Sequence, residues 1–194
     1  MRSTGPTSMV RRTPLPPQQT DAVKFHAEHE FPGSRAAVAD ILCDPAFHLA
    51  LDLPDLSRPE IVERSAVGAA QLLRLRYTFT GHLDPVARRL LAGRSLTWLQ
   101  ELRLDATTGI GRLSFSAEAE ADRLYGSAEV SLVEVGVGGG SAVEGPRTQR
   151  RIAGNLFVKV PLVGGTAERR IVPGLVRRLD VEAEALTRAL TAAP

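Results

Sequence analysis

Residues Thr166 to Leu190 read TAERRIVPGLVRRLDVEAEALTRAL. Here Ile171, Leu175, Leu179, Leu186 and Leu190 recur at near-helical spacing and Val172, Val176 and Ala183 widen the stripe, while arginines and glutamates fill the other face. The pattern predicts one long amphipathic helix with a single face to bury. Pro173-Gly174 falls inside it, and an interior proline removes an intrahelical hydrogen bond at a cost of about 3 kcal/mol. The regular helix is therefore expected from about Pro173 to Leu190, with Gly164 to Val172 either a kinked first turn or a mobile approach. Such a helix can also lie on a membrane surface when its polar face is basic. Here Glu168, Asp180, Glu182 and Glu184 nearly balance Arg169, Arg170, Arg177, Arg178 and Arg188, which favours packing against a sheet.

Working back from that helix, the chain is mostly strand-like. Ala22–Phe31 alternates, with Val23, Phe25, Ala27, His29 and Phe31 on one face. Pro32-Gly33 ends the strand and Ser34 caps a short helix through RAAVADILC; Asp44-Pro45 then starts a second, brief helix through Phe47 to Ala50. Glu60–Ser65 reads as an edge strand. In Gln71–Thr80, Leu73, Leu75, Tyr77 and Phe79 share a face. Asp84, Pro85 and Gly93 mark a short helix within GHLDPVARRLLAG. Ser95–Asp105 places Leu96, Trp98, Gln100, Leu102 and Leu104 inward; the next strand does so with Gly111, Leu113, Phe115 and Ala117, and Leu124–Val135 with Gly126, Ala128, Val130 and Leu132. After a Gly-rich hairpin loop, Val137–Pro146, a last strand spans about Thr148–Val160. The fold class is α+β: a curved antiparallel sheet of about six to seven strands, two short helices after the first strand, and a long C-terminal helix packed across the sheet.

A chain of 194 residues suits one domain, placed at residues 21–194, preceded by a Pro-rich, aperiodic segment at 1–20 expected to be disordered. The net charge of +2 comes from that tail: without Arg2, Arg11 and Arg12 the balance is 21 basic against 22 acidic residues. No basic stripe interleaved with aromatics supports nucleic-acid binding. No stretch approaches the ~20 apolar residues that cross a bilayer, and the single cysteine, Cys43, builds no disulfide framework, so a cytoplasmic location is expected.

No catalytic motif survives inspection. The four histidines do not fall at metal-ligand spacing, and GVGGGSAVEGP lacks the Gly-Lys-Ser/Thr ending of a phosphate loop, so neither metal nor cofactor is expected. His26-Ala27-Glu28 resembles the start of a deaminase signature but lacks the paired cysteines that follow it. His29 falls by parity with Phe25 and Phe31, where it is either a satisfied core residue or a hydrogen-bond donor and proton shuttle. Gln100 needs a partner in protein, water or ligand. Tyr77 and Trp98 offer large surfaces with a polar tip.

The order of elements resembles the START-like, birch-pollen-allergen-like (SRPBCC) helix-grip superfamily from Ala22 to Leu190. YTFTG at 77–81, DPVARRLLAG, SLTWLQE at 95–101 and VKVPLVGG at 158–165 are similar to a bacterial family of uncharacterised proteins within it. That resemblance implies a cavity between sheet and helix for a hydrophobic ligand, lipid or polyketide-like, and supplies no catalytic residues. The residues assigned to it are His29, Tyr77, Phe79, Trp98, Gln100, Phe115, Leu175 and Leu179. A non-catalytic carrier or sensor is the leading reading. A cyclase- or hydrolase-like enzyme using His29, Tyr77 or Gln100, and a regulatory or partner-binding module with a filled core, are the alternatives.

Overall fold

The computed structural model describes residues 22–82, 94–119, 121–136, 145–159 and 164–192. The tail 1–20, the helix expected around 84–93 and most of the loop 137–146 lie outside the described residues. The elements in chain order are β1 (Val23–Pro32), α1 (Arg35–Leu42), α2 (Pro45–Ala50), β2 (Glu60–Val67), β3 (Ala70–Thr78), β4 (Thr97–Asp105), β5 (Ile110–Ala117), β6 (Leu124–Val135), β7 (Arg147–Val158) and α3 (Gly164–Ala192).

Period-two alternation builds one seven-stranded antiparallel sheet in the order β1-β7-β6-β5-β4-β3-β2. Its register stacks the inward residues into rows. One row runs Leu75, Gln100, Phe115, Gly126, Leu156; the next runs Leu73, Leu102, Leu113, Ala128, Gly154, Phe25. Gly154 sits where no side chain fits, because a Cβ there would meet the Ser127 carbonyl and the Ala128 side chain. The concave face so formed carries most of the core, including Phe25, Leu102, Leu113, Val130 and Ile152.

Ser34 Oγ accepts from the Ala37 amide at 3.3 Å and starts α1; Asp44 Oδ1 accepts from Ala46 at 3.0 Å and, with Pro45 at the first helical position, starts α2. These two helices turn the chain from β1 back across one end of the sheet. Val38, Ala39, Leu42 and Cys43 are all buried beneath α3 and the sheet.

The final helix differs from expectation at its start. α3 is continuous from Gly164, nine residues before Pro173. Proline removes the bond to the Arg169 carbonyl, yet its fixed φ is already helical, and Pro173 itself lies on the exposed side of the helix. Coverage of the stripe is uneven. Leu179, Ala183 and Leu186 are buried, while Val172, Leu175, Val176 and Leu190 are partly covered and Ile171 remains 36% exposed. Smaller differences fall at strand ends: β3 stops at Thr78, and Phe79 instead forms an isolated bridge with Leu56; β7 begins at Arg147 and ends at Val158.

Candidate interior site beneath the C-terminal helix

The interior between the concave face and α3 is where the fold brings its polar groups together. Arg150 falls at an inward position of β7, in register with His29 of β1 and Leu132 of β6, and is 1% exposed. A guanidinium there requires partners, and α3 supplies them. Its Nη1 donates to Glu182 Oε1 at 2.6 Å, and its Nη2 donates to the Leu179 carbonyl at 3.3 Å and to His29 Nδ1 at 3.2 Å. Because Arg150 only donates, His29 Nδ1 accepts, and its Nε2–H donates to Asp180 Oδ1 at 3.0 Å. The cluster thus runs from Asp180 through His29 and Arg150 to Glu182.

Glu182 is itself 5% exposed. Burial pushes its carboxyl up, but the charges of the Arg150 and Arg178 guanidiniums hold it below the usual carboxylate range. His48, at the end of α2, donates Nε2–H to the Leu42 carbonyl at 2.8 Å and is 2% exposed; burial pushes its pKa down, so the ring is neutral and Nδ1 is a free acceptor. His48, Gln100, Arg150, Glu182, Leu102 and Leu179 line a cavity of about 20 Å³. That volume suits about one water molecule. Two atoms of the lining residues, His48 Nδ1 and Arg150 Nε, have no hydrogen-bond partner among the described residues.

One turn before Glu182, Arg178 reaches the other margin of the sheet. Its Cζ stands 4.2 Å above the Tyr77 ring, which stacks on Trp98 at a centroid distance of 5.8 Å. Tyr77 is fully buried, and burial raises its hydroxyl above the ordinary value, so it remains a donor at neutral pH. Tyr77 Oη, Arg178 Nε and Arg178 Nη2 are all buried without a hydrogen-bond partner among the described residues.

Of the residues singled out from the sequence, Gln100 and Leu179 meet at the cavity, and Tyr77 and Trp98 form one stack nearby. His29 lies on β1, at the opposite margin from β3, and is engaged with Arg150 and Asp180. Phe115 packs toward Phe25 at 6.5 Å and over Gly126. Leu175 is partly buried against the core, and Phe79 sits beyond the end of β3, with its ring over Gly81. Among the described residues no three His, Cys, Asp or Glu side chains converge as metal ligands. Arg150, Glu182, Arg178 and His48 were not singled out. The signals were present for two of them: Arg150 shares the inward parity of Thr148 and Ile152, and Glu182 interrupts the stripe between Leu179 and Leu186.

The residues that build this interior fall within a family model described as Protein of unknown function (DUF2505), which matches residues 26–190. The chain belongs to that family. No curated protein matches it. Among solved structures, DUF2505 as represented by this chain is similar to TTHA0849 from Thermus thermophilus, at 17% identity and a TM-score of 0.57, covering 88% of this chain and 99% of that one. It is also similar to norcoclaurine synthase from Thalictrum flavum, at 18% identity and a TM-score of 0.56, covering 98% and 99%. Ara h 8.0201 aligns at 15% identity and a TM-score of 0.55, covering 89% and 99%. Likeness at these identities is a likeness of fold: the helix grip of START-like, birch-pollen-allergen-like proteins. No helix among the described residues is long and apolar enough to cross a membrane.

Proposed function

We propose that this protein is a cytoplasmic, non-catalytic carrier or sensor that holds a small, mostly hydrophobic molecule between the sheet and α3. The observation that carries this reading is the set of partnerless polar atoms, from Tyr77, Arg178, His48 and Arg150, on the walls of an otherwise apolar interior. Apolar walls with few polar groups are the usual make-up of ligand sites. A ligand larger than the cavity requires α3 to move outward, and its cover is thinnest around Ile171, Val172, Leu175 and Val176, of which Ile171 is exposed and the others are only partly buried.

Native mass spectrometry of protein purified from its source tests the proposal. A copurifying apolar molecule, released on denaturation, is expected; a bare polypeptide mass together with no displaceable binding of a fluorescent fatty acid contradicts it. The small size of the cavity, about 20 Å³, favours a second reading, a regulatory or partner-binding module with a filled core. That reading predicts the bare mass.

A further inference from the structure

Beneath α3 two guanidiniums, Arg150 and Arg178, face a single buried carboxylate, Glu182, while His48 is neutral. Arg150 takes up Glu182 through Nη1, and Asp180, which is 55% exposed at its side chain, is bonded to His29. Among the described residues the positive charge on Arg178 therefore has no dedicated counter-ion beside it; Glu182 acts on it only across the space between them. The two partnerless nitrogens of Arg178 are Nε and Nη2. Their N–H bonds point the same way along one edge of the guanidinium, which is the fork that grips both oxygens of a carboxylate. Arg178 is stacked on Tyr77, whose hydroxyl is a third donor without an acceptor, on a side chain that is fully buried. Around them Leu53, Leu56, Leu73, Leu75, Trp98 and Val181 are apolar.

We infer that the Arg178 edge and the Tyr77 hydroxyl form the recognition point for the carboxylate of an apolar acid, whose hydrocarbon part lies against this leucine-rich wall. The inference rests on the ligand-holding reading and specifies its chemical class: a monocarboxylate, with two oxygens in the fork and one of them also accepting from Tyr77. A neutral alcohol or ester of the same length lacks a second strong acceptor for the fork and leaves the charge uncompensated.

The test uses the full chain with Nile red, an uncharged dye, displaced by dodecanoate, dodecanol, methyl dodecanoate or dodecyl phosphate. Dodecanoate is expected to displace the dye at about tenfold lower concentration than the alcohol or ester, the range of a charge-assisted hydrogen-bond pair. Arg178→Gln is expected to bring that ratio close to one, Arg178→Lys to leave a part of it because the ammonium keeps the charge without the fork, and Tyr77→Phe to lower it by a smaller factor. Equal displacement by acid and alcohol in the wild type, survival of the preference in Arg178→Gln, or stronger displacement by dodecyl phosphate overturns the carboxylate assignment while leaving ligand holding intact. No displacement by any of them overturns both. If Arg178→Gln loses its helical circular dichroism, the wild-type comparison and the near-isosteric Tyr77→Phe decide.

Discussion

Replacing Arg150 by methionine is the sharpest test of how the interior is held together. Methionine matches much of the side-chain volume but leaves Glu182, 5% exposed, as a buried carboxylate without its 2.6 Å partner, and strips His29 Nδ1 and the Leu179 carbonyl of a donor. Breaking a buried pair from one side costs about 3–5 kcal/mol, a large part of the 5–15 kcal/mol that holds a typical domain folded. Glu182→Leu alone strands Arg150 and is expected to cost a similar amount. The double variant Arg150→Met with Glu182→Leu removes both charges, and its stability is expected to return to within about 1 kcal/mol of the wild type or to exceed it. Urea unfolding followed by fluorescence of Trp98, the only tryptophan, measures all four corners of the cycle, since its stack on Tyr77 dissolves on unfolding. Single variants that each cost under about 1 kcal/mol, or a double variant whose loss equals their sum, would falsify the claim that Arg150 and Glu182 compensate each other in the core.

Acid weakens the fold in two stages. His48 is depressed by burial below its ordinary 6.5, so the unfolded chain takes up a proton first and stability falls as pH drops below about 6.5; Glu182, also depressed, contributes stability that is present above the ordinary 4.5 and lost as pH falls through its lower folded value. The urea midpoint is therefore expected to be level above pH 7 and to decline below 6.5, with His48→Gln removing the upper stage; a midpoint that rises on acidification contradicts both assignments. Burial pushes the Cys43 thiol up to about 11 and leaves it 1% exposed, so a disulfide reagent at pH 8 is expected to leave it unmodified in the native protein and to react fully in urea. Gly154→Ala forces a methyl against Ser127 and Ala128 on β6 and is expected to cost about 1–3 kcal/mol in the same unfolding assay; an unchanged midpoint contradicts the close strand approach. Pro173→Ala restores an amide for the Arg169 carbonyl and is expected to stabilise the protein by about 1–3 kcal/mol, whereas a loss of stability means that the proline is required by the packing of α3.

Alternation carried most of the architecture. Leu124–Val135 was legible to its last residue, because its inward residues Gly126, Ala128 and Val130 meet matched inward positions on both neighbours and a slip of one residue would turn the whole set outward. Caps were equally readable at Ser34 and Asp44, where the side chain needed by the first turn is local in sequence. The start of α3 was not. Proline's cost is real, but the loss of a single bond on an exposed face does not end a helix of 29 residues that is anchored at its other half. For the site, parity placed Gln100, Tyr77 and Trp98 on the correct face, yet nothing local marks Arg150 and Glu182 as partners. They are 32 residues apart and meet only because β7 and α3 pack together. Arg178 reads as one of several solvent-facing arginines until the curl of the sheet brings Tyr77 beneath it.

Trp98 lies on the concave face and reports directly on an apolar molecule held there beneath α3. With 11-(dansylamino)undecanoate as ligand, excitation of Trp98 is expected to give sensitised dansyl emission that saturates at one molecule per chain and is reversed by dodecanoate. Emission that never saturates, or dye that binds without quenching Trp98, would contradict a site between the sheet and the helix.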